Sequence, residues 1–158
     1  MQEIILVKYG EMALKGMNKK TFEDILVKNI KRRIKSLGKT EITRAQSTIY
    51  IAPLDEFFDA DEAIERLKKV FGIAALCRAA VCEKDFEDIK SKSIEYLDEV
   101  LSYAKTFKVT AKRADKNFPM KSPEICRELG GVLLEKFPNL TVNVNDPEIT
   151  VTIEIRDT

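Results

Sequence analysis

Two stretches of the chain combine residue types that can hold an anion. The first reads Lys8-Tyr9-Gly10-Glu11-Met12-Ala13-Leu14-Lys15-Gly16-Met17-Asn18-Lys19-Lys20. It is a strand end, a connection with two glycines, and a helix start carrying Lys15, Lys19 and Lys20. Free N–H groups at a helix start attract phosphate, and the lysines add charge. The second reads Lys112-Arg113-Ala114-Asp115-Lys116-Asn117-Phe118-Pro119-Met120-Lys121-Ser122 and repeats the plan. Lys112, Arg113, Lys116, Lys121 and Ser122 supply donors. Phe118 supplies either a ring for stacking on a base or an anchor that presses the loop into the core. The glycines of the first stretch serve a plain turn equally well, and no G-x-x-x-x-G-K-[ST] phosphate loop occurs.

Other chemistry finds little material. The chain has no histidine, so the usual general base and zinc ligand are missing. Cys77, Cys82 and Cys126 are odd in number and lack C-x-x-C spacing, which supports neither a disulfide framework nor a metal site. They are expected to be reduced and mostly buried. No carboxylates are spaced as an acid–base pair. The expectation is a binding role with no catalytic residue and no metal.

Charge distribution points the same way. The net charge is +1, yet residues 15–39 carry +7 and residues 105–127 carry +5, leaving −11 on the rest. If the two basic blocks meet in space, they form one positive face. Otherwise they are solvated helix faces. Apolar runs such as Ile4 to Val7 are far below the ~18–20 residues that span a bilayer. The acidic Met-Gln-Glu start is no signal peptide, so the chain is expected in the cytoplasm without a membrane partner.

The elements that must carry these loops are readable from periodicity. Residues 3–8 predict a buried strand. Asn18 predicts an N-cap, followed by a helix with Phe22, Ile25, Leu26, Ile30, Ile34 and Leu37 at helical spacing. Strands at 41–45 and 48–52 join through a Gln46-Ser47 turn. Asp59 with Glu62 resembles a capping box for a helix that Gly72 ends, and 73–82 reads as a strand. This β-α-β-β-α-β order predicts a ferredoxin-like domain. Its strands offer only Tyr50 and, at an end, Tyr9, too few aromatics for RRM-type stacking. A second α/β pattern follows. Asp85 caps a helix to about 104 with Leu97, Val100 and Leu101 inward. A strand covers 106–112, Ser122-Pro123 starts a helix with Ser122 as N-cap, and strands cover 140–145 and 149–155. Gly130-Gly131 inside that last helix is expected to serve close packing. The fold class is thus α+β.

The segments 5–20, 107–125 and 144–156 together resemble the tRNA 4-thiouridine synthetases, the ThiI family, across essentially the whole chain. Lys19 stands where the family often has arginine, so the charge is kept and the fork-shaped guanidinium is not. The resemblance implies an N-terminal ferredoxin-like domain at 1–76 and a THUMP domain at 77–158 lacking its last strand. It implies binding of the tRNA acceptor stem and 3′ CCA end, with Lys15, Lys19, Lys20, Lys112, Arg113, Lys116, Phe118, Lys121 and Ser122 as candidate contacts. In the family a PP-loop ATP-pyrophosphatase domain follows. That domain uses ATP and Mg to activate uridine 8 for sulfur transfer, a cysteine desulfurase donates the sulfur, and thiamine thiazole synthesis is linked to the same sulfur. The Ser-Gly-Gly-x-Asp-Ser loop of that domain does not occur in these 158 residues. The chain is therefore expected to be the tRNA-binding half, without cofactor or chemistry of its own. A small-molecule-binding or docking domain pair without RNA affinity is the alternative.

Overall fold

The computed structural model describes residues 1–10, 18–45 and 47–157. They form two compact units, Met1–Val81 and Cys82–Thr158. The division falls after 81 rather than after 76, because the strand expected there is paired along its whole length with the first strand of the chain.

The first unit runs β1 (Glu3–Tyr9), α1 (Lys19–Ile34), a 3₁₀ turn (Lys35–Leu37), β2 (Thr40–Ala45), β3 (Thr48–Pro53), α2 (Ala60–Leu67) and β4 (Ile73–Ala80). The sheet order is β2-β3-β1-β4 with every neighbour antiparallel, the ferredoxin-like arrangement. Strand β1 is central, which is why its apolar run is continuous. Ile5 and Val7 join Ile49 and Ile51 of β3 against Leu26, Ile30 and Ile34 of α1 and Leu67 of α2. On the other face Leu6 stands level with Tyr50 and Cys77. Burial of each such isoleucine or leucine contributes about 1.5–3 kcal/mol. Asn18 Oδ1 accepts from Thr21 N at 2.8 Å, and Asp59 Oδ1 accepts from Glu62 N at 3.0 Å, so both predicted caps form. The capping box is half made, since Glu62 Oε1 turns away to Arg66 Nε at 3.1 Å. Ser47 has a φ of 63°, and its turn partner Gln46 lies outside the described residues.

The second unit runs α3 (Phe86–Tyr96), α4 (Asp98–Ser102), β5 (Thr106–Arg113), α5 (Ser122–Lys136), β6 (Thr141–Val142) and β7 (Ile149–Ile155). The sheet is parallel, in the order β6-β5-β7. Phe107 at its centre packs with Leu101, Ile125, Leu129, Leu133 and Val151.

Several expectations are corrected. The single helix to 104 is two, broken at Leu97 (φ −97°, ψ 6°). Asn139 Nδ2 then satisfies the closing carbonyls of Leu101 and Ala104 at 2.8 and 2.7 Å. Strand 140–145 shrinks to two residues because Asn143 Oδ1 accepts from the N–H groups of Asn145 and Asp146 at 3.1 and 3.0 Å, a side-chain turn that stops pairing. Ile25 and Val100 sit on solvent-facing edges of their helices and are exposed. No cysteine is fully buried: Cys77 is exposed on edge strand β4, and Cys82 and Cys126 are half-buried thiols. Packing does not explain Gly131 either, since a Cβ there would meet nothing within 4 Å.

Gly72 is the opposite case. Its φ is 98°, and a Cβ would lie 2.7 Å from Cζ of the buried Phe22. Gly72→Ala is expected to lower stability by about 2–4 kcal/mol through overpacking and an unfavourable φ. Gly131→Ala, in an open helix interior, is expected to raise it by about 0.5–1 kcal/mol. Urea unfolding midpoints of the two variants check both signs.

Candidate nucleic-acid interface

The first lysine cluster is held by the junction of β1 and α1. Asn18 caps the helix, so Lys19 and Lys20 occupy its first turn, where no acidic residue stands. Both are exposed. Cations at that end oppose the helix dipole by roughly 0.3–1 kcal/mol each, a cost that a bound anion would reverse. Lys15 lies outside the described residues.

Behind the lysines sits a residue that sequence reading set aside. Tyr9 ends β1, and its ring is 5.5 Å from that of Phe22. Its hydroxyl donates a short hydrogen bond to Glu23 Oε2. This contact clamps the strand end to the helix start and fixes where Lys19 and Lys20 project. The signal was the polar tip on an otherwise apolar strand. Nearby, Arg44 of β2 holds Asp24 at 2.7 Å. Burial first, then the hydrogen bond and charge of Glu23, push the Tyr9 hydroxyl up to about 12, while Ser47 and Arg44 act the other way.

The second cluster is a shaped loop. Arg113 ends β5 and donates from Nη1 to the carbonyls of Lys116 and Phe118 at 3.1 and 3.0 Å. Asp115 Oδ1 accepts from Asn117 N at 2.9 Å, and Asp115 Oδ2 accepts from Lys84 Nζ at 2.8 Å. These bonds hold its carboxyl below the usual range, Lys84 contributing most. Lys112, Lys116 and Lys121 are exposed. Lys112 stands opposite Glu154 in register. Among the described residues Lys19, Lys20, Lys116 and Lys121 enter no ion pair.

Three expected contacts change role. Phe118 is 5% exposed and belongs to the core; its ring anchors the loop and offers no face to a base. Arg113 spends its guanidinium on loop carbonyls. Ser122 is the first helical residue rather than the N-cap: Lys121 holds the extended cap geometry (φ −82°, ψ 160°), and no side chain caps α5. Pro123 is tolerated one position later than expected because the second N–H of a helix is also without an intrahelical partner. The start of α5 is thus flanked by Lys121 and carries no side-chain cap hydrogen bond, with Glu124 in its first turn.

Nothing among the described residues assembles a metal site, and no helix there is long and apolar enough to cross a membrane. Burial and the Asp88 carboxylate push the Cys82 thiol up, opposite to what an attacking thiolate needs.

The fold and these two strand–loop–helix junctions define a ferredoxin-like domain followed by a THUMP domain. Residues 4–77 match the family model described as the ThiI ferredoxin-like domain, and residues 83–158 match that of the THUMP domain. The chain belongs to the ThiI family. It is 47% identical over 159 residues to a probable tRNA sulfurtransferase of Acetivibrio thermocellus, covering 99% of this chain and 41% of that protein. A crystal structure of a 4-thiouridine synthetase–RNA complex with bound ATP superposes with a TM-score of 0.81 at 34% identity, over 99% of this chain and 39% of that one. The structure of PH1313 from Pyrococcus horikoshii gives 0.81 at 29% identity, over 99% and 52%. The chain spans about 40% of the length of the curated relatives it matches.

Two measurements test the roles assigned here. A Tyr9 value near 12, above the ordinary ~10, means its stabilisation is complete below about pH 10 and lost as pH rises toward about 12. Spectrophotometric titration should therefore show a late-ionising tyrosine that Tyr9→Phe removes. Arg113→Lys should cost about 1–2 kcal/mol in urea unfolding, because a lysine cannot reach both carbonyls. A residue serving only as a surface cation would shift stability by less than about 0.5 kcal/mol.

Proposed function

We propose that the chain is the tRNA-binding part of a tRNA sulfurtransferase that makes 4-thiouridine at position 8 of tRNA. In this reading it grips the acceptor stem and the 3′ CCA end. It presents the nucleotide to an ATP-pyrophosphatase domain elsewhere in the whole protein, where ATP and Mg act and to which a cysteine desulfurase delivers sulfur. The described residues themselves bind and orient.

One observation carries the reading. Exposed lysines that form no ion pair among the described residues stand at two strand-to-helix connections, Lys19 and Lys20 in one unit and Lys116 and Lys121 in the other, in a chain similar over 99% of its length to a synthetase crystallised with RNA. A-form RNA hides its major-groove edges, so recognition rests on phosphate positions and on the single-stranded end. Lys15, Lys19, Lys20, Lys112, Lys116 and Lys121 are assigned to phosphates. Lys121 and the uncapped start of α5 at Ser122 are assigned to the terminal nucleotides, since their N–H groups suit an anion.

With about five phosphates engaged, log K should fall against log salt with a slope of roughly −3.5 to −4.5. Lys116→Glu should weaken all tRNAs alike and make that slope shallower by about 1. Gel shifts of an acceptor-stem minihelix with and without its CCA overhang check the rest: the overhang should tighten binding. A minihelix that binds no better than an unrelated RNA hairpin at every salt concentration would defeat the proposal.

A further inference from the structure

Three aromatic side chains stand almost wholly in water: Phe57 at 84%, Phe71 at 86% and Tyr103 at 86% exposure. Tyr103 carries a hydroxyl that water satisfies, so its position needs no partner. The two phenylalanines have no such excuse, and their surroundings differ in sign.

Phe57 follows Asp55 and Glu56, and its own N–H donates to Asp55 Oδ1 at 2.9 Å. Lys39 lines the same surface, so two carboxylates stand against one cation and the balance repels phosphate. Phe71 follows Lys68 and Lys69. Lys68 Nζ pairs with Glu65 Oε1 at 2.9 Å, while Lys69 is exposed and in no ion pair among the described residues.

Phe71 is also fixed in place. Val70 before it is buried in the core. Gly72 after it has a φ of 98° and lies against the Phe22 ring, and Ile73 begins β4. With the backbone pinned on both sides, the ring cannot fold inward. Phe22, against which Gly72 lies, stands one helical turn along α1 from Lys19. An exposed, flat, apolar ring on a pinned backbone, with exposed lysines at 69 and 19 on the elements that meet at Gly72 and Phe22, offers the chemistry that recognises an unpaired nucleobase. The ring takes the base, the cations take the phosphates on either side, and every base has a face to offer.

Resting on the RNA-binding reading above, we propose that Phe71 is a stacking platform for one unpaired nucleobase of the bound RNA, with Lys69 and Lys19 holding its flanking phosphates. This places a single-stranded nucleotide on the ferredoxin-like domain, separate from the nucleotides assigned to the start of α5.

The test uses the full chain and an acceptor-stem minihelix with a single-stranded 3′ overhang, its unpaired bases replaced singly by 2-aminopurine. Phe71→Ala should raise Kd by about 5- to 50-fold without changing the salt slope, because stacking releases no counterions. Phe71→Trp should restore binding to within about threefold. One 2-aminopurine position should be quenched by the parent chain and by Phe71→Trp and not by Phe71→Ala. Phe57→Ala should bind as the parent does. The proposal is overturned if Phe71→Ala binds within about twofold of the parent, or if Phe71→Trp is as weak as Phe71→Ala. Salt-dependent RNA binding that Phe71→Ala leaves undiminished sinks this proposal alone. No RNA binding by the parent chain sinks both it and the reading on which it rests.

Discussion

The first unit depends on a phenyl ring lying on a glycine. Phe22 of α1 fills the space that any side chain at 72 would need, and it also meets the Tyr9 ring at the end of β1. One buried side chain thus ties together a strand end, a helix start and the turn between α2 and β4. Close packing makes such a joint stiff, because neither ring nor backbone has room to shift. The exposed groups around it, Lys19, Lys20 and Phe71, inherit that stiffness. Groups presented on so fixed a base would lose little entropy on meeting a ligand.

The second unit reaches the same end by polar means. Its basic loop is held by Arg113 reaching back to two carbonyls, by Asp115 organising the next turn, and by Phe118 inserted below. One cation and one aromatic are consumed in shaping the loop, and the lysines left over face solvent. The division of labour follows from side-chain chemistry. A guanidinium presents several donors in a fixed fork and suits carbonyl groups inside a loop, whereas a lysine is a mobile point charge suited to phosphates.

Much of this was legible in the sequence wherever the signal was local. Asn18, Asp59 and Asp85 cap helices as predicted because a cap bonds an N–H only two or three residues away. The alternating apolar and polar residues of 149–155 predicted β7, and the β-α-β-β-α-β order predicted the first sheet. What stayed hidden depended on distant partners. Phe118 and Phe71 look alike in a sequence, each an aromatic in a connection, yet one is buried and the other bare. Their fates are decided by Arg113 in one case and by the Phe22–Gly72 contact in the other. The frame of α5 was missed by one residue because proline fits either of the first two helical positions. The break at Leu97 falls inside a continuous helical pattern, and its compensating donor, Asn139, is far along the chain.

The parallel pairing of the second sheet has a consequence for assembly during synthesis. In the first unit β2 and β3 are adjacent in sequence and zip as a hairpin, so structure can start there early. Strand β5 has no such neighbour: Phe107 pairs with Val142 on one side and Ile149 on the other. Until those residues leave the ribosome, β5 presents two bare edges, and non-local pairings of this kind form slowly. The nascent chain therefore carries β5 with both edges unpaired until Ile149 has emerged.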